Sequence, residues 1–172
     1  MALPPPEPAK KKRTRSHTLP SPGLGQVIGL VKAVEDSGGE ADAAALSKEL
    51  HLDLVRLEPV VSAAEFLGLL RVHEGDLEVT ELGRRLLVAT IRQRKAILRE
   101  IMEQTPLFRQ VTEMLRGAGR PLPRQEVVDA LSAQLGSHQA EGVFKALVYW
   151  GRYTERLDYD GGSEILSLSV SP

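Results

Sequence analysis

The apolar residues of this chain change period twice, and that double change restricts the folds open to it. From Leu24, Val27, Ile28, Val31 and Val34 onward, apolar positions recur at helical spacing. At Leu70–Val72 and Leu77–Val79 they alternate instead, on either side of His73–Asp76, which predicts a short β-hairpin. Helical spacing then returns. It gives way again at Leu157–Tyr159 and Ile165–Leu168, around an Asp160-Gly161-Gly162 turn that predicts a second hairpin. The expected fold is therefore mainly α with two small β-hairpins. The order of elements reads as tandem winged-helix-like repeats, the helix–helix–hairpin series at 42–80 paralleling the one at 124–169.

Local signals set the expected boundaries. The first helix ends at Gly38-Gly39. Asp42 is placed to cap a second helix running through Leu50, and Asp53 to open a third, in which Pro59 either marks a kink or a start near Glu58. Thr80 precedes a helix from Glu81 to about Ala89. A basic helix over 91–103 follows, then a helix from Leu107 to Leu115 beyond the break at Pro106. Pro121–Pro123 reads as a linker, Arg124–Leu135 as a helix closed by Gly136, and Ser137 as the cap of the last helix. Three segments result: a Pro/Lys-rich tail over 1–22, expected to be disordered, a first unit over 23–90 and a second over 91–172, the two units packed as one compact module.

Charge follows this division. The net charge of −1 is the balance of a basic stretch over 1–24, an acidic one over 25–90, a basic one over 91–120 and an acidic one over 121–172. With no cysteine, thiolate zinc sites, disulfides and thiol nucleophiles are excluded. No apolar run reaches the roughly 20 residues of a membrane helix, and residues 1–17 lack the apolar stretch of a secretory signal. The expectation is a cytoplasmic protein without membrane insertion, peripheral to the inner membrane only through a partner.

The sequence has no P-loop, no Gly-x-Ser-x-Gly elbow and no His-Glu-x-x-His. His17, His51, His73 and His138 are scattered, and the paired carboxylates fall at predicted turns and helix ends, where water is abundant. The expectation is no catalytic residue, no metal, no cofactor and no enzyme.

A winged-helix reader of DNA presents cations and amides on its third helix. Here the helix after Asp53 offers Arg56 against Asp53, Glu58 and Glu65, a poor face for phosphate. The polyanion contacts open to the chain are Lys10, Lys11, Lys12, Arg13 and Arg15 in the tail and Arg92, Arg94, Lys95 and Arg99 in the basic helix. That helix reads first as a solvated face or as one half of a charge pairing with an acidic block. Nucleic-acid binding through the tail and this helix is the alternative function.

Further motifs resemble a known family. Val27–Leu30, SAAEFLGLL (Ser62–Leu70), EGDLEVTELG (Glu74–Gly83), Arg92–Lys95, Thr105–Leu107 and above all YWGRYTERLDYD (Tyr149–Asp160) are similar to the AAA-associated C-terminal domain found behind the ATPase of nitrate/sulfonate/bicarbonate-type ABC transporters. The resemblance covers about Gly23 to Leu168. It implies a regulatory domain that accompanies an ATPase. No ATPase segment precedes it in this sequence, so ATP hydrolysis is not carried over, and the implied partner is a protein, an ABC transporter ATPase acting in trans. In the last motif, Trp150 and Tyr153 are expected to fill a junction with the wing. Gly151 is expected to admit a neighbouring helix, and Arg152 to pair with Asp158 or Asp160. These five residues, Trp150, Arg152, Tyr153, Asp158 and Asp160, are the candidate junction or partner contacts. The oligomeric state is not readable from the sequence.

Overall fold

The computed structural model describes residues 19–170. Among them the chain is mainly helical, with eight helices and two three-stranded antiparallel sheets. The first unit runs α1 (Leu24–Asp36), β1 (Glu40–Asp42), α2 (Ala43–Glu49), α3 (Leu54–Phe66), β2 (Leu70–His73), β3 (Asp76–Val79) and α4 (Glu81–Val88). The second runs α5 (Ile91–Gln104), α6 (Pro106–Ala118), β4 (Leu122–Pro123), α7 (Arg124–Leu135), α8 (Ser137–Tyr153), β5 (Leu157–Asp160) and β6 (Ile165–Leu168).

Both units share one plan. From α1 and from α6 onward the order is helix, strand, helix, helix, strand, strand, and the sheets are ordered β1-β3-β2 and β4-β6-β5. The strand that completes each sheet escapes periodicity because it is only two or three residues long. Pro121–Pro123, expected as a linker, supplies β4, which pairs Leu122 with Leu166. Each short strand delivers the chain directly into the next helix, whose first N–H bonds to the hairpin turn: Ala43 N–H to Gly75 O at 2.9 Å, and Arg124 N–H to Glu164 O at 2.7 Å.

Among the described residues, side-chain caps start three of the eight helices. The Asp42 side chain accepts from Ala45 N–H, and Thr80 Oγ1 from Gly83 N–H. Thr90 and Gln93 form a reciprocal capping box that starts α5. Two expectations shift. Gly136, at φ 80°, precedes α8, so Ser137 is its first residue rather than its cap. Pro59 lies inside a helix that already begins at Leu54; its missing N–H leaves the Val55 carbonyl without a helical donor.

A continuous hydrophobic cluster runs through both units, from Leu24, Val27 and Val31 of α1 to Leu98 and Met102 of α5 and Phe144, Leu147 and Trp150 of α8. α5 packs against α4, α6 and α8.

Candidate functional site

The capping box at Thr90 fixes the phase of α5, and that phase sorts its charges. Leu98 and Met102 are turned inward, fully buried. Lys95, Arg99 and Glu103, spaced four apart, lie along one stripe facing the exit of α8. There Lys95 Nζ donates to Glu155 Oε1 at 2.6 Å, Arg99 Nη2 to Glu155 Oε2 at 3.4 Å, and Arg99 Nε to the Thr154 carbonyl at 2.9 Å. Glu103 in turn pairs with Arg156. The positive stretch of α5 thus meets a carboxylate, and its acidic end meets a guanidinium. Arg99 also satisfies a carbonyl at the C-terminus of α8, where the helix leaves acceptors free and favours a cation.

Arg94 points the other way. Its Nε and Nη2 donate to the Leu86 and Leu87 carbonyls at 3.1 and 3.2 Å, closing the C-terminal end of α4. Arg92 is exposed and makes no hydrogen bond or ion pair among the described residues. An open cleft of about 580 Å³ is lined by Ile91, Arg92, Lys95, Ala96, Arg99 and Glu155. Its cations act on the one carboxylate: the Lys95 hydrogen bond and charge, then Arg99 and Arg92, hold Glu155 below the ordinary glutamate range. Close by, burial pushes the Tyr153 hydroxyl up, against the pull of Arg94 and Lys95.

The backbone at Glu155 is unusual. Its φ is 58°, in the left-handed region where a side chain is disfavoured. The exit of α3 has the same bonds. There Gly68 N–H donates to Glu65 O and Leu69 N–H to Ala64 O, as Glu155 N–H does to Arg152 O and Arg156 N–H to Gly151 O. At that position the first unit has Gly68, at φ 74°.

The rest of the YWGRYTERLDYD motif holds the fold together. Trp150 is fully buried, its Nε1 donating to the Pro20 carbonyl at 3.0 Å, while Tyr149 Oη accepts from Leu24 N–H at 2.9 Å. These two bonds bind the segment entering α1 to α8. A Cβ on Gly151 would lie 2.6 Å from Leu157 Cβ, so the close neighbour is strand β5 and not a helix. Tyr153 is half-buried. Arg152 is exposed and pairs with neither Asp158 nor Asp160. Asp158 is exposed, and Asp160 accepts from Gly162 N–H at 2.8 Å, chiefly through which its carboxyl sits below the ordinary aspartate range. Lys10, Lys11, Lys12, Arg13 and Arg15 lie outside the described residues.

Reading the sequence missed Glu155, Arg156 and Glu103. The signal was present in the four-residue spacing of Lys95, Arg99 and Glu103, but their partners sit more than 50 positions away. Among the described residues no group of three or more His, Asp or Glu side chains is placed to hold a metal ion, and no helix is long and apolar enough to cross a membrane.

Comparison with known proteins gives one result. The family model for the C-terminal AAA-associated domain matches residues 44–160, from α2 of the first unit through β5 of the second. The span takes in α5 and the exit of α8 and leaves out α1, with its Val27–Leu30 segment. No curated protein matches, and no solved structure matches.

Proposed function

This chain belongs to the C-terminal AAA-associated domain family, and we propose that it is a non-catalytic regulatory module that docks in trans on an ABC transporter ATPase at the cytoplasmic face of a membrane. The observation that carries this reading is the extent of the family match, which takes in most of both units and the junction between α5 and α8. A domain defined by its association with an ATPase contributes surfaces for that partner, while the partner contributes the chemistry.

The surface of the first unit is ill suited to nucleic acid. At the turn into α3, where a winged-helix reader needs cations for phosphate, Leu52, Leu54 and Val55 are exposed, Val55 at 83%. Apolar side chains there oppose a phosphate backbone. The tandem winged-helix-like plan is in this reading a scaffold with a task other than reading DNA.

The test is direct association. The full chain is mixed with a purified ABC transporter ATPase that lacks a C-terminal domain of its own, and binding is followed by sedimentation velocity together with the ATP hydrolysis rate. A complex with a Kd in the micromolar range, about −8 kcal/mol, and a changed rate are expected. No complex, combined with salt-sensitive binding of duplex DNA by residues 19–170 alone, would overturn the reading in favour of nucleic acid.

A further inference from the structure

We infer that the cleft along α5 is the docking site for an acidic segment of a partner protein carrying an apolar anchor, and that Glu155 is an internal carboxylate occupying part of that site. The inference rests on the module reading above and adds to it the place and chemistry of contact.

Three observations carry it. The first is charge. Arg92, Lys95 and Arg99 line the cleft with Glu155 as the one acid among its lining residues, and Arg92 is exposed and unpaired among the described residues. The cations are in excess, so the cleft can accept a second carboxylate. The second is the position of Glu155. At the corresponding helix exit the first unit uses Gly68, the unstrained choice, whereas the second unit keeps a glutamate at φ 58° with its carboxylate on Lys95 and Arg99. Helix termination does not require that side chain, and its placement shows which ligand group the cations fit. The third is the rim. Ile91, 72% exposed, lines the cleft, and Val88, 86% exposed, ends the helix that leads to it. A cation row beside an apolar rim matches a peptide that alternates acidic and apolar residues; a phosphate backbone has no use for the rim. The chain's own tail, with Lys10 to Arg15, has the wrong sign to occupy it.

The experiment uses the full chain and a fluorescein-labelled synthetic peptide built of Glu-Glu-Leu-Leu repeats, read by fluorescence anisotropy. Saturable binding is expected, weakening as salt rises from about 0.05 M to about 0.5 M. Arg92→Glu should weaken it about tenfold or more and Ile91→Ser severalfold. Both side chains are exposed, so both variants should keep the thermal midpoint of the parent. Glu155→Gln should tighten binding severalfold by removing the internal competitor, and the peptide with Gln in place of Glu should not bind.

Equal affinity of the parent, Arg92→Glu and Glu155→Gln would overturn the inference, as would absence of binding. Tighter Arg92-dependent binding of a duplex DNA would overturn it in favour of phosphate. Self-association abolished by Arg92→Glu would assign the cleft to a second copy and also overturn it. The two readings fail separately: an ATPase bound equally well by the parent and Arg92→Glu removes the cleft and keeps the module, whereas Arg92-dependent peptide binding without any ATPase binding keeps the cleft and removes the proposed partner.

Discussion

The exits of α3 and α8 are built on the same backbone and finished in opposite ways. Each helix closes with the same two hydrogen bonds, each passes through a left-handed residue, and each enters its strand at a leucine, Leu70 or Leu157. The central strand of each sheet returns to the same place, Thr80 N–H bonding to Leu69 O as Ser169 N–H bonds to Arg156 O. In the first unit the exit is sealed from within: Thr80 Oγ1 donates to Gly68 O, and Gly83 of α4 lies so close to the Leu69 carbonyl that a Cβ there would come within 2.4 Å. In the second unit α5 covers the exit, through charged side chains, and leaves a cleft between them. On the proposed reading, the repeated plan reserves one copy for packing and releases the other for recognition. A left-handed residue ends both helices, Gly68 in the first unit and Glu155 in the second.

The comparison breaks most severely at Trp150. Its counterpart in α3 is Ala63, so no similar anchor exists in the first unit. Trp150→Ala should cost about 3–5 kcal/mol, since a fully buried indole is lost together with its bond to Pro20. For a chain of this size that is a fall of roughly 10 °C in Tm by calorimetry. A fall of only a degree or two would mean that the segment entering α1 is not held by α8.

Next in size is Gly151→Ala. The added methyl meets Leu157, and overpacking of this kind costs about 1–3 kcal/mol in urea denaturation. The equivalent residue in the first unit, Ala64, already carries that methyl fully buried. If Gly151→Ala were neutral, the two exits would be packed alike and the contrast would weaken.

Exchanging the left-handed residues sharpens the contrast directly. Gly68→Glu should destabilise the fold by about 1 kcal/mol, because the left-handed conformation then carries a side chain, set against Leu82. Glu155→Gly should move the urea midpoint far less, since relief of the strain offsets the loss of exposed ion pairs. Equal losses from the two changes would contradict a special role for the glutamate.

The smallest effect is on pH dependence. The Glu155 carboxyl is held below its ordinary value by Lys95, then Arg99 and Arg92. Its contribution is therefore present above the unfolded glutamate value of about 4.3 and is lost as pH falls through the lower folded value. Urea midpoints of the parent and Glu155→Gln should differ slightly at neutral pH and converge in acid. A gap that widens in acid would show that the carboxylate is not what Lys95 and Arg99 hold.

Much of the fold was legible because it rests on local signals. The change of period at Leu70 and again at Leu157 located both hairpins, and Asp42 and Thr80 marked helix starts. The short strands β1 and β4 were not legible, because two or three residues have no periodicity and become strands only when β3 and β6 supply a partner. The cleft was half legible. The basic run of α5 stood out, but whether a given arginine is free or spent is a tertiary fact: Arg94 serves α4, Arg99 serves α8, and Arg92 serves neither. Glu155 was overlooked because a glutamate after a helix looks like an ordinary surface residue until its φ and its partners are known.

On the proposed reading, recognition belongs to the exit of the second unit and not to that of the first. The decisive measurement is the affinity of the full chain for the proposed partner, an ABC transporter ATPase in trans, compared between Arg92→Glu in the α5 cleft and Arg56→Glu on the exposed face of α3. Arg92→Glu is expected to weaken the complex about tenfold or more, and Arg56→Glu to leave it within about twofold of the parent. Equal weakening by the two changes, or weakening by Arg56→Glu alone, would contradict it.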